Sequence, residues 1–183
     1  MLRNVGTGLV VNLRWGQARN GMGIDGYLAN GTTSQQWRLN PVQGPQEILD
    51  QWAKENRNLV PDGEYQIRPV VAPNNRVEVQ WASRDAGARV WSYQSNGSAA
   101  QKWRVSHDDK GYVTLTNAAS GKVLDVFAAW KNWPARVNQQ TSNSSAAQKW
   151  VIQERGGHKV LVSALSPMLV LDLEGGRSQN ETT

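Results

Sequence analysis

The phrase Asn96-Gly-Ser-Ala-Ala-Gln-Lys-Trp103 returns as Asn143-Ser-Ser-Ala-Ala-Gln-Lys-Trp150, and a looser copy, Asn30-Gly-Thr-Thr-Ser-Gln-Gln-Trp37, precedes both. The three Trp residues that end these phrases are separated by 66 and 47 residues, and the three Asn residues that begin them keep the same two intervals. Two landmarks that share one offset indicate an internal repeat. Each repeat ends in the tripeptide Gln-x-Trp.

A further landmark lies upstream of each Gln-x-Trp, in a short apolar stretch that contains one polar residue. These polar residues are Asn12, Glu78, Asp125 and Asp172, and they are spaced by 66, 47 and 47 residues. Four repeats therefore begin, but only three reach a Gln-x-Trp. The pattern is that of a window from a longer array or of one permuted ring, and the sequence leaves both open.

The repeats have the pattern of strands. In the third repeat, Gly111–Asn117 alternates apolar and polar residues, and Lys122–Val126, Ala135–Gln140 and Gln148–Gln153 predict three more strands between turn residues. Four short strands per repeat favour an all-β barrel or radial array. We interpret the Trp of each Gln-x-Trp as a core residue and the Gln as its local hydrogen-bonding partner, so the motif itself is scaffold.

An insert separates the first two repeats, since their spacing is 19 residues longer than the next one. Residues 44–57 read as a short helix, with Pro45 in the first turn and Glu47 near the positive N-terminal end. Ile48, Leu49 and Trp52 share one face at helical spacing. We expect that face to pack on the barrel or to join two modules.

Composition excludes several classes of function. The chain has 183 residues, no Cys and a net charge of +5, and its Lys and Arg residues are scattered, which argues against a nucleic-acid partner. No apolar run is long enough to span a membrane, so we expect no membrane insertion. The sequence contains no catalytic or phosphate-binding motif, and His107 and His158 both fall in turn regions. We predict a protein that is not an enzyme and that uses neither a cofactor nor a metal ion.

The three Gln-x-Trp endings, the Asp of Val123-Leu-Asp-Val126 and the phrase Asn96–Trp103 resemble the ricin-type β-trefoil lectins, and most closely their cysteine-free bacterial branch. The resemblance covers residues 1–40 and 62–175. It implies an all-β trefoil with pseudo-threefold symmetry, built as a barrel of twelve strands with a hairpin cap, and a short helical insert. The predicted boundaries are 1–40, 41–61 for the insert, 62–107, 108–155, and 156–183 for half of a further repeat.

In this family an acidic residue after the second strand, an aromatic residue on the third strand and polar groups beside Gln-x-Trp hold the sugar. The resemblance therefore implies candidate binding residues in each repeat, although no repeat carries the full set. They are Tyr27 and Gln35, with Asn12 in place of Asp, in the first repeat; Glu78, Tyr93 and Gln101 in the second; Asp125 and Gln148, with Trp130 or Trp133 as platform in place of Gln140, in the third; and Asp172 in the fourth.

Other roles for these residues remain open. Asp125 and Asp172 can instead bond to backbone amides of the turn that follows them. Trp91 and Tyr93 lie on one strand, and we expect one to be core and the other exposed. If the terminal half-repeats pair, Asp172 would meet Tyr27 and Gln35 and complete a site.

We predict a non-catalytic carbohydrate-binding module of a larger secreted or cell-surface protein, whose partner is a glycan or polysaccharide. The expected location is extracellular or at the cell surface. The alternative is a trefoil with degenerate sugar sites that acts as a structural or protein-interaction unit. Because the terminal repeats are incomplete, the sequence also suggests a strand-exchanged dimer.

Overall fold

The computed structural model describes residues 1–39, 42–132 and 134–180. Its chain forms two compact units, Met1–Val42 and Gln43–Thr183. The smaller unit is one antiparallel hairpin of β1 (Val10–Leu13) and β2 (Ile24–Tyr27), in which Asn12 lies opposite Asp25. Gln35 is fully buried beneath this hairpin, and the indole N–H of Trp37 donates to the Val11 carbonyl over 3.0 Å.

Over its described residues, the larger unit contains one α-helix, α1 (Pro45–Asn56), and nine strands. In the part of the chain described, these strands are β3 (Gly63–Tyr65), β4 (Asn75–Val79), β5 (Val90–Gln94), β6 (Trp103–His107), β7 (Val113–Asn117), β8 (Val123–Val126), β9 (Val137–Gln140), β10 (Trp150–Arg155) and β11 (His158–Ser163). All strand pairs are antiparallel. The second and third repeats each supply four strands, as their sequence pattern predicts.

The main sheet has the order β11-β10-β7-β6-β3, and the hairpins β4–β5 and β8–β9 project from the second and third repeats. Within the described residues this sheet does not close on itself, so the twelve-strand barrel that the resemblance implies is open here. The fourth repeat contributes β11 and then a single bridge between Val162 and Val170. Among the described residues, β3 pairs with β6 alone, and β11 pairs with β10 on one side and with this short bridged segment on the other.

Two indole rings form the centre of the core. Trp103 and Trp150 are 0% and 1% exposed and pack among the aliphatic side chains of β4 to β10. Their N–H groups donate to the carbonyls of Val77 and Leu124, over 2.9 and 3.3 Å. Each Trp thus ties the fourth strand of its repeat to the second, which confirms the interpretation of Gln-x-Trp as scaffold.

Helix α1 packs on the outer face of the β10–β11 hairpin. Leu49 and Ala53, both 1% exposed, meet Val151 and Val162 there, while Trp52 flanks them. The helix begins as predicted, with the backbone N–H of Gly44 donating to the Glu47 carboxylate.

The predicted buried face of the helix was wrong in one residue, because Ala53 rather than Ile48 completes it. The helix backbone also comes close to the sheet at this residue. A Cβ on Gly111, whose φ is +92°, would lie 2.3 Å from the Ala53 carbonyl oxygen. Only a glycine at position 111 allows this approach.

Candidate functional site

One cross-strand position carries a polar pair in each of three hairpins. Asn12 lies opposite Asp25, Glu78 opposite Trp91 and Asp125 opposite Asn138, and in every pair a side-chain N–H of one member points at a carboxylate of the other. The position of the acid is not constant. In the first repeat the acid is Asp25 on the third strand, and Asn12 is its donor.

In the second repeat Glu78 is enclosed by three donors. Its Oε2 accepts from Gln101 Nε2 at 2.6 Å and from Asn96 Nδ2 at 3.0 Å, and its Oε1 accepts from the indole of Trp91 at 3.4 Å. The side chain is 5% exposed. Among the described residues, Oε1 receives this one long bond, so it keeps capacity for a further hydroxyl donor.

Trp91, which bonds to Glu78, is the centre of a cluster of three aromatic rings. Tyr93 stacks on Trp91 with centroids 5.5 Å apart and planes 18° apart, and Trp81 meets Trp91 edge-on at 5.0 Å and 64°. Trp91 is buried, Tyr93 is half-buried and Trp81 is 73% exposed. The expectation that one of Trp91 and Tyr93 is core and the other exposed holds for Trp91, which is core, but Tyr93 is half-buried rather than exposed. However, the two rings point to one side, because residues two apart on a strand share a face.

The turn that carries Trp81 is held from the neighbouring repeat. Gln139, fully buried on β9, donates from Nε2 to the carbonyls of Ser83 and Asp85 over 2.9 and 2.8 Å. The hydroxyl of Ser120 in turn donates to Gln139 Oε1 at 2.7 Å. These hydrogen bonds therefore fix the loop that carries Trp81.

The third repeat encloses its acid differently. Asp125 Oδ2 accepts from Gln148 Nε2 at 3.1 Å, and the amide nitrogen of Asn138, oriented to satisfy its neighbours, lies 3.0 Å from Oδ1. Burial raises the pKa of Asp125, against the opposing effect of the Gln148 hydrogen bond. These partners are side-chain amides, so the alternative that Asp125 bonds to turn amides is not the one adopted. No aromatic residue of β9 faces Asp125, since Gln140 and Asn138 hold the positions of Tyr93 and Trp91.

Of the other predicted platforms of the third repeat, Trp130 lies in the loop that connects β8 and β9. Trp130 is 55% exposed in the loop after β8, and its backbone N–H donates to the Phe127 carbonyl. Trp133 lies outside the described residues.

The first repeat presents exposed aromatic rings. Tyr27 is 53% exposed and Trp15 is 76% exposed. Gln35 donates to the Leu28 carbonyl and accepts from the Asn30 N–H, as the scaffold role requires. Hydrogen bonding from Asn12, followed by Arg14, lowers the pKa of Asp25.

In the fourth repeat Asp172 is exposed and forms no hydrogen bond within the described residues. Its predicted meeting with Tyr27 and Gln35 stays a prediction.

Sequence reasoning missed Asp25, Trp81 and Trp91 as site residues. Asp25 and Trp91 could have been found, because each follows the landmark of its repeat by 13 positions. Among the described residues, no group of three His, Asp or Glu side chains is placed to hold a metal ion. Over the same residues, no helix has both the length and the apolar character needed to cross a membrane.

Comparison with known proteins places this geometry in a family. The ricin-type β-trefoil lectin domain-like family matches residues 50–137, which include the whole second-repeat site. The designed threefold-symmetric protein ThreeFoil is 30% identical, with a TM-score of 0.63 over 66% of this chain and 86% of its own. The Rhizoctonia solani agglutinin is 26% identical, with a TM-score of 0.61 over 67% and 83%.

A mosquitocidal holotoxin is also similar, at 26% identity and a TM-score of 0.63, but the match covers 68% of this chain and only 15% of the toxin. No curated protein sequence matches the chain. The chain belongs to the ricin-type β-trefoil lectin-like family, and its fold is an all-β trefoil with one short helix.

Proposed function

We propose that this protein is a carbohydrate-binding module and that its second repeat carries the working site. The observation that supports this most is the pairing of a buried carboxylate with open aromatic surface at Glu78, Tyr93 and Trp81. A sugar ring needs both features. Its hydroxyl groups donate to a charged acceptor, while its C–H face covers an aromatic ring.

The internal bonds of Glu78 set its orientation before any ligand arrives. Gln101 and Asn96 hold Oε2, which directs Oε1 toward Trp91 and the aromatic cluster. A hydroxyl that donates to Oε1 would bring the pyranose ring against Tyr93. Because the acceptor is fixed by the scaffold, little conformational entropy is lost on binding.

The third repeat supports a structural role instead. The two oxygens of Asp125 accept amide hydrogen bonds of 3.1 and 3.0 Å, and Asp125 is as buried as Glu78, so the two repeats differ in the aromatic platform. Gln140 offers no ring at the position of Tyr93. This is the degenerate trefoil alternative, and we apply it to this repeat alone.

We propose binding without catalysis. A glycosidase requires two carboxyl groups that flank one glycosidic bond. In the described part of the second-repeat site, Glu78 is the one carboxylate that the cluster encloses, and its amide donors hold it in place. The matched Rhizoctonia solani protein is named an agglutinin, which agrees with binding rather than turnover.

The proposal extends to the setting of the module. The holotoxin shows this domain type as a small part of a long chain, which supports a module of a larger protein that works outside the cell or at its surface. The strand-exchanged dimer remains part of the proposal, and the mass of the protein in dilute solution tests it.

A glycan array followed by calorimetric titration tests the proposed function. We expect a signal on the array and, for Tyr93→Ala, about tenfold weaker binding of the selected glycan, because one stacking surface is lost. Gln140→Ala is the matched control, since it changes the same position of the third repeat, 47 residues later. An array without signal at millimolar ligand would favour a protein-interaction role. Weakening by Gln140→Ala but not by Tyr93→Ala would move the site to the third repeat.

A further inference from the structure

Trp81 adopts a backbone conformation that Trp rarely adopts. Its φ and ψ are 58° and 21°, in the left-handed region, and Ala82 follows with φ 51°. A bulky residue in this region is strained, and such strain persists only where the surrounding structure imposes it.

The equivalent turn in the other repeats shows that Trp is not required there. The pairs at this turn are Trp15-Gly16, Trp81-Ala82, Ala128-Ala129 and Gly175-Gly176, and all eight residues have positive φ. Two successive positive φ values favour glycine at both places. The fourth repeat uses Gly-Gly, so the backbone of the turn needs no side chain at the position of Trp81.

Burial does not explain the Trp either. With 73% of its surface exposed, Trp81 gains little from removal of apolar area from water. Its contact is the edge-on one with Trp91. An exposed and strained aromatic residue beside the proposed binding site points to a role in recognition.

We propose that Trp81 is a second sugar platform of the second-repeat site, and that the ligand is therefore an oligosaccharide rather than a single sugar. This rests on the proposed function. Trp81 is inclined by 64° to Trp91, whereas Tyr93 is within 18° of Trp91. A pyranose ring whose C–H face stacks on Tyr93 cannot stack the same face on Trp81. The steep angle instead fits two successive rings of one chain, joined by a glycosidic bond that turns the second ring against the first.

The braced turn supports this placement. Gln139 holds the carbonyls of Ser83 and Asp85 from the third repeat, so the Trp81 ring is presented on a fixed loop rather than a mobile one. In the first repeat, Trp15 has the same conformation and 76% exposure, but Asp25 lies where Trp91 would. Trp15 therefore lacks the neighbouring indole ring that Trp81 has in Trp91, so we assign the second platform to Trp81 alone.

The test compares Trp81→Gly with the control Ala128→Gly. Both substitutions relieve backbone strain at the same position of the turn, but only Trp81→Gly also removes an aromatic ring. The ligands are glucose, galactose, xylose and N-acetylglucosamine, each with its β-linked di- and trisaccharide. For the wild-type protein we expect the disaccharide of the selected series to bind about tenfold more tightly than its monosaccharide, which burial of roughly 50 Å² of apolar surface supplies. Trp81→Gly should lose that gain and keep the monosaccharide affinity, while Ala128→Gly should keep both.

Three outcomes overturn the proposal, and they can be told apart. If the wild-type protein binds no member of any series, the proposed function fails and the inference with it. If the wild-type protein binds but gains nothing from the second sugar, or if Trp81→Gly keeps the gain, only the inference fails. Trp81→Asn serves as the second variant should Trp81→Gly fold poorly, because Asn adopts positive φ with little strain.

Discussion

Gln101 donates a hydrogen bond of 2.6 Å from Nε2 to the Oε2 atom of Glu78, so the motif that builds the fold also holds the carboxylate of the site. The same amide donates to the Gln94 carbonyl, and its Oε1 accepts the N–H of Asn96. Scaffold and binding chemistry are therefore joined at one side chain. A substitution of Gln101 should therefore affect both the stability of the fold and the orientation of Glu78.

Replacement of Gln101 by Leu tests this link. The substitution removes one of the two amide donors to Glu78 Oε2 and takes this partner from the Gln94 carbonyl and the Asn96 N–H, so we expect the free energy of unfolding to fall by about 2–4 kcal/mol. Urea denaturation measures it. Gln94→Leu is the control, since that side chain is exposed on β5 and should change stability by less than about 0.5 kcal/mol. Equal effects of the two variants would contradict the link.

The contact between α1 and the sheet is tested at Gly111. In Gly111→Ala the new Cβ meets the Ala53 carbonyl at 2.3 Å and also takes a strained φ, so we expect a loss of about 3 kcal/mol or more in unfolding free energy. Gly121→Ala separates the two causes. Its φ is +71° and nothing lies within 4 Å of its Cβ, so it should cost only about 1 kcal/mol. A loss no larger in Gly111→Ala than in Gly121→Ala would show that α1 is not packed at this point.

Acid should loosen α1 through Asp50. Its carboxylate accepts the Tyr112 hydroxyl at 2.7 Å and the Gln46 amide at 3.0 Å, and these bonds, the one from Tyr112 first, lower the pKa of Asp50. A lowered folded-state pKa contributes stability that is present above the unfolded value near 3.9 and is lost as pH falls through the folded value. We expect wild-type stability to fall in that window more than the stability of Asp50→Asn. If both proteins lose the same stability as the pH falls, Asp50 does not have this role.

Asp125 should show the opposite dependence. Burial raises its pKa, so the folded state binds the proton more tightly than the unfolded chain. Relative to Asp125→Asn, the wild-type protein should therefore be most stable below the unfolded pKa and should lose stability as pH rises to the folded pKa. Denaturation at a series of pH values measures the difference. A difference that grows in favour of the wild type as pH rises would mean that Asp125 is held as a stabilised anion.

The register of the repeat made much of this arrangement predictable. The 47-residue spacing located the strands of the second and third repeats, the buried Trp103 and Trp150, and the acids Glu78 and Asp125. These features follow from strand periodicity and core burial, which act along the sequence. The helix was predictable because its apolar residues recur at helical spacing, which is also a property of the local sequence.

What the sequence hid depends on conformation and on neighbouring repeats. Nothing in Gln-Trp-Ala shows that Trp81 has positive φ, because the turn inherits its geometry from the fold and not from its residues. The bracing of that turn by Gln139 joins residues from two repeats, more than 50 positions apart. The close approach of the helix backbone to Gly111 at Ala53 also depends on tertiary packing, which helical periodicity alone does not show.

The central claim is that the second repeat binds carbohydrate between Glu78 and its aromatic rings. Proton–nitrogen NMR of the nine indole N–H groups, recorded during titration with the glycan that the array selects, tests it most directly. The account predicts saturable shifts at the indoles of Trp81 and Trp91, with Trp103 and Trp150 nearly unchanged in the core. Shifts confined to other indoles, or none at saturating glycan, would contradict it.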